Sequence, residues 1–223
     1  MTTADVGRPA PDLAPDEASR PRGPAWAGWR MVRLYLASRR VVTCLLVLVA
    51  CAVALRTALH WLPRTGALSR QIPLIIEAAA AAAIGATTRG PFGEPERVTG
   101  RWLPLLRLGV SLAGAGAGFG VLAAGSASAH LAGGCIGLLR DLGGLTGIAL
   151  LVAAVAGGGL SWIGPIGYLG VTLPALSEDW ATPWAWPARP PHDRGAAICA
   201  ALVFAAGLTV VTLRGARDAA GRD

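Results

Sequence analysis

The stretch LGGLTGIALLVAAVAGGGLSWIGPIGYLGVTLPALS, Leu142 to Ser177, runs for 36 residues without an Asp, Glu, Lys or Arg. A helix needs about 20 apolar residues to cross a hydrocarbon core of about 30 Å. The stretch is therefore too long for one span and too poor in polar residues to form a soluble surface. Gly157-Gly158-Gly159 divides it, and consecutive glycines are where a helix gives way. The sequence thus predicts the end of one span, a break, and a further span over 160–176, with Pro165 and Pro174 as kinks.

The same pattern extends outward in both directions. Leu108 to Leu139 is free of charged residues for 32 positions, and Gly195 to Leu213 for 19. Over all 223 residues, 53 % are hydrophobic and only 15 % charged, against roughly 25 % charged in a typical globular domain. So short a chain has too little polar sequence to cover so many apolar helices in water. The expected fold class is all-α: a polytopic transmembrane helical bundle of about six spans, at 41–62, 71–86, 102–124, 130–156, 160–176 and 195–213.

The flanks read differently. Residues 1–25 are rich in Pro, Ala and Asp without apolar periodicity, and are expected to form a disordered cytoplasmic tail. Asp5, Asp12, Asp16 and Glu17 precede the first apolar run, which does not suit a signal peptide. In 26–40, Trp26, Trp29, Val32 and Leu36 recur at helical spacing, with Arg30, Arg33, Arg39 and Arg40 largely beside or opposite them. That is the pattern of an interfacial amphipathic helix; the plainer alternative is an extension of the first span. Residues 214–223 form a basic cytoplasmic tail.

All 20 basic residues are Arg, and the net charge is +7. The arginines flank apolar segments instead of lining one face, which points to lipid head groups and not to nucleic acid. In the six-span arrangement, fourteen fall on the side of the termini. Seven precede the first span, Arg89, Arg97, Arg101 and Arg107 lie around the second connection, and three follow the last span. Four, Arg64, Arg70, Arg189 and Arg194, fall on the other side. The positive-inside rule then places both termini in the cytoplasm, N-in/C-in. The absence of Lys beside abundant Ala, Gly, Arg and Pro looks like a GC-rich bacterial genome, so a multi-pass protein of the bacterial plasma membrane is expected. A seven-span arrangement ranks second, because it sends the basic C-terminus outside.

Three kinds of residue stand out within the spans. Gly114, Gly116, Gly118 and Gly120 make two overlapping GxxxG steps, and Gly133/Gly137 and Gly143/Gly147 repeat the spacing. Such faces let helix backbones approach closely, within one chain or between two. Glu77, Arg140 and Asp141 are ionisable groups inside spans, where a charge is expensive unless paired or wet. They fit a substrate path or gate, a structural pair between Glu77 and Arg140, or a broken fourth helix that places Arg140 at an interface. Arg140 and Asp141, as sequence neighbours, point about 100° apart on a helix and need not pair with each other. Cys44, Cys51, Cys135 and Cys199 lie in apolar stretches without CxxC spacing and read as small packing residues, not as a metal site.

Enzyme signatures are missing. With no Lys, a Walker A loop ending in Gly-Lys-Ser/Thr cannot occur. No HExxH is present, and His60, His130 and His192 stand apart. The expectation is no intrinsic enzymatic activity, no catalytic residue, no metal and no cofactor.

Four segments carry a resemblance: Pro91-Phe92-Gly93-Glu94-Pro95-Glu96-Arg97, Arg140-Asp141-Leu142-Gly143-Gly144-Leu145-Thr146-Gly147, Leu160-Ser161-Trp162 with Pro165 and Tyr168, and Trp184-Ala185-Trp186-Pro187. Together with the surface helix and six spans, the chain resembles the permease-like membrane subunits of ABC-2 type transporters, in particular small actinobacterial ones. The resemblance implies a division of labour in which a separate ABC ATPase subunit hydrolyses ATP and this chain, as a homo- or heterodimer, supplies part of the membrane pathway. ATPase docking would then fall on Glu94, Glu96 and Arg97, where carboxylates beside a helix start suit a basic groove; a solvated helix cap explains the same residues. The rivals are a non-transporting membrane scaffold or regulator that binds through its glycine faces, and a proton- or ion-coupled carrier that uses Glu77.

Overall fold

The structure, a computed structural model, describes residues 41–61, 68–88, 103–127, 131, 133–178 and 182–214. The chain divides after Tyr35 into two units, and every described residue belongs to the second. The expected tail at 1–25, the interfacial helix at 26–40, the docking residues Glu94, Glu96 and Arg97, and the tail from 215 onward lie outside the described residues.

Six helices long and apolar enough to cross a membrane make up the described chain, and it contains no strand. The α-helices are α1 (Val41–Trp61), α2 (Leu68–Ala86), α3 (Leu103–Ser126), α4 (Gly134–Ala156), α5 (Ile163–Ser177) and α6 (Arg194–Arg214), and the fifth span, Gly158–Leu176, takes in the turn ahead of α5. The chain is therefore an all-α polytopic membrane protein. Helices α1, α3, α4 and α6 carry apolar residues around their whole circumference, as a helix does when it meets protein on one side and lipid on the other. Val42, Leu46, Val49, Val53, Leu202 and Leu213 point outward.

A membrane span must satisfy its own polar groups, and several hydroxyls here do so locally, although the buried Thr146 hydroxyl of α4 has no partner among the described residues. Thr172, Thr209 and Thr212 each donate to the carbonyl four residues back. Thr87 and Thr88 donate from their hydroxyls to the Ile84 and Gly85 carbonyls at the end of α2, both at 2.7 Å, and their own amides donate to the same carbonyls at 3.1 Å.

Helix α4 is the centre of the bundle. It packs on α2, α3, α5 and α6, most extensively on α6, while α1 packs on α2 and α3. Leu48 and Leu55 of α1, Ile84 of α2, Leu122 of α3, and Leu138 and Leu145 of α4 are shut off from the surface. Lipid tails are as apolar as these side chains, so close packing and not water exclusion holds the helices together. The α4–α6 crossing shows how close that is. A Cβ added at Gly147 would stand 2.6 Å from the backbone of Phe204, and one at Gly207 would stand 2.5 Å from the Gly147 carbonyl oxygen.

The glycine row of α3 splits into two faces. Gly114 and Gly118 face Ile84 of α2, with a new Cβ at 3.3 and 2.9 Å, whereas Gly116 and Gly120 have nothing within 4 Å. Two residues on a helix are about 200° apart, so only alternate members of the row serve the bundle. Gly143 likewise meets nothing, and its i+4 neighbour Gly147 makes the contact.

Three helix starts, those of α2, α4 and α5, differ from expectation by three or four residues. Helix α2 starts at Leu68, ahead of the expected 71, because Ser69 and Arg70 are compatible with a first turn outside the apolar run. Helix α4 begins at Gly134, so Arg140 lies in its second turn instead of at mid-span. Gly157, at φ 98°, ends α4 in a conformation that favours glycine, and a 3-10 turn at Gly158–Leu160 leads into α5. Pro165 falls in the first turn of α5, where its missing N–H has no helical partner to lose. It is a helix-start residue and not a kink.

Candidate functional site

The start of α2, the start of α4 and the end of α5 meet at one end of the bundle. There Ser69, Arg70, Pro73, Leu74 and Glu77 of α2 line a cavity of about 530 Å³. Their spacing of one and four residues places all five on one helix face. Helix α4 contributes Gly133, Gly137, Leu138, Arg140 and Asp141 to the opposite wall, and α5 contributes Leu176. The remaining wall is the segment that follows α5, folded back across the bundle as Pro187 to Pro191. Exposed Arg70 and Pro190 lie at its rim.

That segment is held by side chains of two helices. Arg140 donates from Nε to Asp141 Oδ1 at 2.8 Å, from Nη1 to the Pro190 carbonyl at 2.8 Å, and from Nη2 to the Arg189 carbonyl at 3.3 Å. Trp186 is 2 % exposed. Its ring stacks on Tyr168 with centroids 4.5 Å apart, and the Tyr168 hydroxyl donates to the Trp184 carbonyl at 2.7 Å. Gly144 makes room for the indole, since a Cβ there would stand 2.6 Å from it. At the far end of the segment, Asp193 caps α6. Its Oδ1 accepts the Ala196 amide at 2.9 Å, and its Oδ2 accepts two bonds from Arg189. The Ala196 amide first, and the Arg189 guanidinium next, hold this carboxyl below the usual carboxylate range.

Glu77 is the deepest residue that α2 gives to the cavity. It is only 3 % exposed, and its Oε2 has no hydrogen-bond partner. Asp141 and Arg140 lie within electrostatic range, yet Arg140 turns its ion pair to Asp141. The expected Glu77–Arg140 pair therefore does not form, although α2 and α4 do pack. The physical reason is the loop: its two carbonyls take both terminal nitrogens of Arg140, which swings the guanidinium over its sequence neighbour. The broken fourth helix does not occur either, since α4 is continuous from Gly134 to Ala156.

Beyond Glu77 the cavity ends. Ile84, two turns further along α2, shares a buried cluster with Leu48 of α1 and Leu142 of α4, and all three lie within 4 Å of a Cβ added at Gly118. The arrangement is a recess closed at its inner end by an apolar layer. Five ionisable side chains line it: Arg70 and Arg189, and, further buried, the Arg140–Asp141 ion pair and Glu77. When Glu77 is ionised, those last three groups carry a surplus of one negative charge. Among the described residues, no group of three His, Cys, Asp or Glu is placed to hold a metal ion.

Of the residues singled out in the sequence, Glu77, Arg140 and Asp141 come together at one cavity, and Gly114, Gly118 and Gly147 lie at helix contacts. Gly116, Gly120 and Gly143 do not. Cys44 and Cys51 are buried, while Cys135 is exposed. Sequence reasoning missed Asp193, whose signal was an Asp three residues ahead of an apolar run. It gave no packing role to Gly144, Gly207 or Trp186, which only the folded chain brings to their partners. Comparison with protein-family models, with curated proteins and with solved structures finds no match.

Proposed function

We propose that the protein is a permease-like subunit of the bacterial plasma membrane, in which the recess at Glu77 receives a solute. The observation that carries this reading is an unpartnered carboxyl inside a helical bundle, in a recess that opens at one end and is closed by apolar side chains at the other. Ionisable groups within spans mark solute and ion paths, and an inner apolar closure is what an alternating-access movement would open. The chain has no Lys and hence no Walker A loop, so a separate ATPase of an ABC export system supplies the energy, and two membrane subunits complete the pathway as a homo- or heterodimer. With the termini inside, the recess opens outward.

The test is affinity purification of the full chain in mild detergent from its own host, with mass spectrometry of what accompanies it. An ABC ATPase in near-equal amount is the expected result, lost when Glu94 and Glu96 are replaced by Arg. Absence of any ATPase removes the export reading. A second reading rests on Gly116 and Gly120, whose open faces on α3 suit the helix of another membrane protein. A copurifying membrane protein without an ATPase, released by Gly116→Leu, would identify a scaffold instead.

A further inference from the structure

We infer that the Glu77 recess is built for an organic cation: an ammonium, amidinium or phosphonium group carried on an apolar body. The inference rests on the solute-binding reading above and names its ligand class.

The charge distribution excludes the opposite sign. Nε, Nη1 and Nη2 of Arg140 are each engaged, by Asp141 and by the Pro190 and Arg189 carbonyls. Arg189 in turn is held by Asp193. Arg70 stands seven residues before Glu77, about 10 Å away along the helix. At the depth of Glu77 an anion would therefore meet two carboxylates and one guanidinium whose nitrogens are already engaged, while Arg70 and Arg189 line the recess further out. Glu77, 3 % exposed and with Oε2 unpartnered, needs a positive partner, because an ionised carboxyl out of water is costly until one arrives.

The size and walls select among cations. A volume of about 530 Å³ lies in the range of small-molecule pockets, roughly 300–1,000 Å³. A bare metal ion would leave it mostly empty and would find no third ligand among the described residues. The apolar part of the lining includes Pro73, Leu74, Leu138, Leu176 and Pro191, which suit hydrocarbon or aromatic surface. An unpartnered carboxylate beside an ion pair, with apolar side chains on the neighbouring walls, is the complement of a lipophilic cation, whose charge sits at one point and whose apolar surface lies elsewhere.

The test uses the full chain in lipid nanodiscs with tetraphenylphosphonium as probe, followed by equilibrium dialysis. Saturable binding at one site is expected, with Glu77→Gln weaker by at least about tenfold. Because that variant can fail to fold, the wild-type protein is also treated with dicyclohexylcarbodiimide, which modifies carboxyls in apolar surroundings. Peptide mass spectrometry should find Glu77 labelled, and saturating tetraphenylphosphonium should protect it while benzenesulfonate should not. Equal affinity of a folded Glu77→Gln protein, labelling unaffected by the cation, or protection by the anion would each overturn the inference. Protection by protons alone, with no cation effect, would do the same. If the cation binds through Glu77 but is never moved across proteoliposomes containing the ATPase, the ligand class stands and the permease reading falls. If a neutral or anionic solute is moved and the cation does not bind, the reverse holds.

Discussion

Arg140 does at the residue scale what its position in the sequence does not announce. It is one of the few charges inside a span, yet its bonds run to a carboxylate one residue away and to two carbonyls about fifty residues away. Its side chain is 5 % exposed, so removing it strands Asp141 and takes a donor from the Arg189 and Pro190 carbonyls, of which the second keeps the Asp193 amide. Breaking a buried pair from one side costs about 3 kcal/mol. Arg140→Gln is therefore expected to lower the melting temperature in detergent, followed by tryptophan fluorescence, to which buried Trp186 contributes. The double variant Arg140→Gln with Asp141→Asn should regain part of the loss, because it leaves no unpaired charge. A single variant as stable as wild type would show that Arg140 does not anchor the loop. The three intramembrane charges were legible in the sequence because an ionisable residue in an apolar run is conspicuous. Which of them pair was not, because the answer depends on Arg189 and Pro190 folding back over the bundle. Trp184 and Trp186 look alike in sequence, and only the Tyr168 stack and the space at Gly144 bury one of them.

At the scale of elements, the helices were legible from their length and apolarity, since those properties alone define a span. Which face of a helix touches which neighbour was not. The GxxxG spacing marks Gly114, Gly116, Gly118 and Gly120 equally, but only the first and third meet Ile84. The tightest crossing joins Gly147 to Gly207, and Gly207 stands in no such motif. This difference sets up a contrast between two glycines. Gly147→Leu must push α6 away from α4, because backbone and not a flexible side chain occupies the space, and overpacking of this kind costs about 1–3 kcal/mol or more. Gly116→Leu enters open space and should change stability by no more than about 0.5 kcal/mol. Thermal unfolding and the monodisperse fraction on size exclusion would measure both. Equal damage from the two substitutions would mean that Gly116 is covered by another chain, or that the α4–α6 crossing is looser than described.

At the scale of the whole molecule, the recess, the loop anchored by Arg140 and the start of α6 all lie at one end, and the direction in which that end faces decides what the recess can do. The arginine asymmetry, fourteen against four, argues that it faces outward. If so, the solute enters from outside or is released there, and the apolar layer of Leu48, Ile84 and Leu142 separates it from the cytoplasm. Thr182 and His192 flank the loop and are both exposed, which makes them suitable reporters. Single cysteines at these positions, in a chain whose four native cysteines are replaced by alanine, should react with a membrane-impermeant maleimide added to intact cells. The native Cys44 and Cys51, buried on the inner face of α1, should resist the same reagent before unfolding. Labelling of both loop positions from outside fits a recess that is loaded or emptied externally, as an exporter in its outward-open state requires. Labelling only after the cells are opened would turn the molecule over. The recess would then be a cytoplasmic entry site, the inner apolar layer would become the external gate, and Glu77 would meet its ligand before export and not at release.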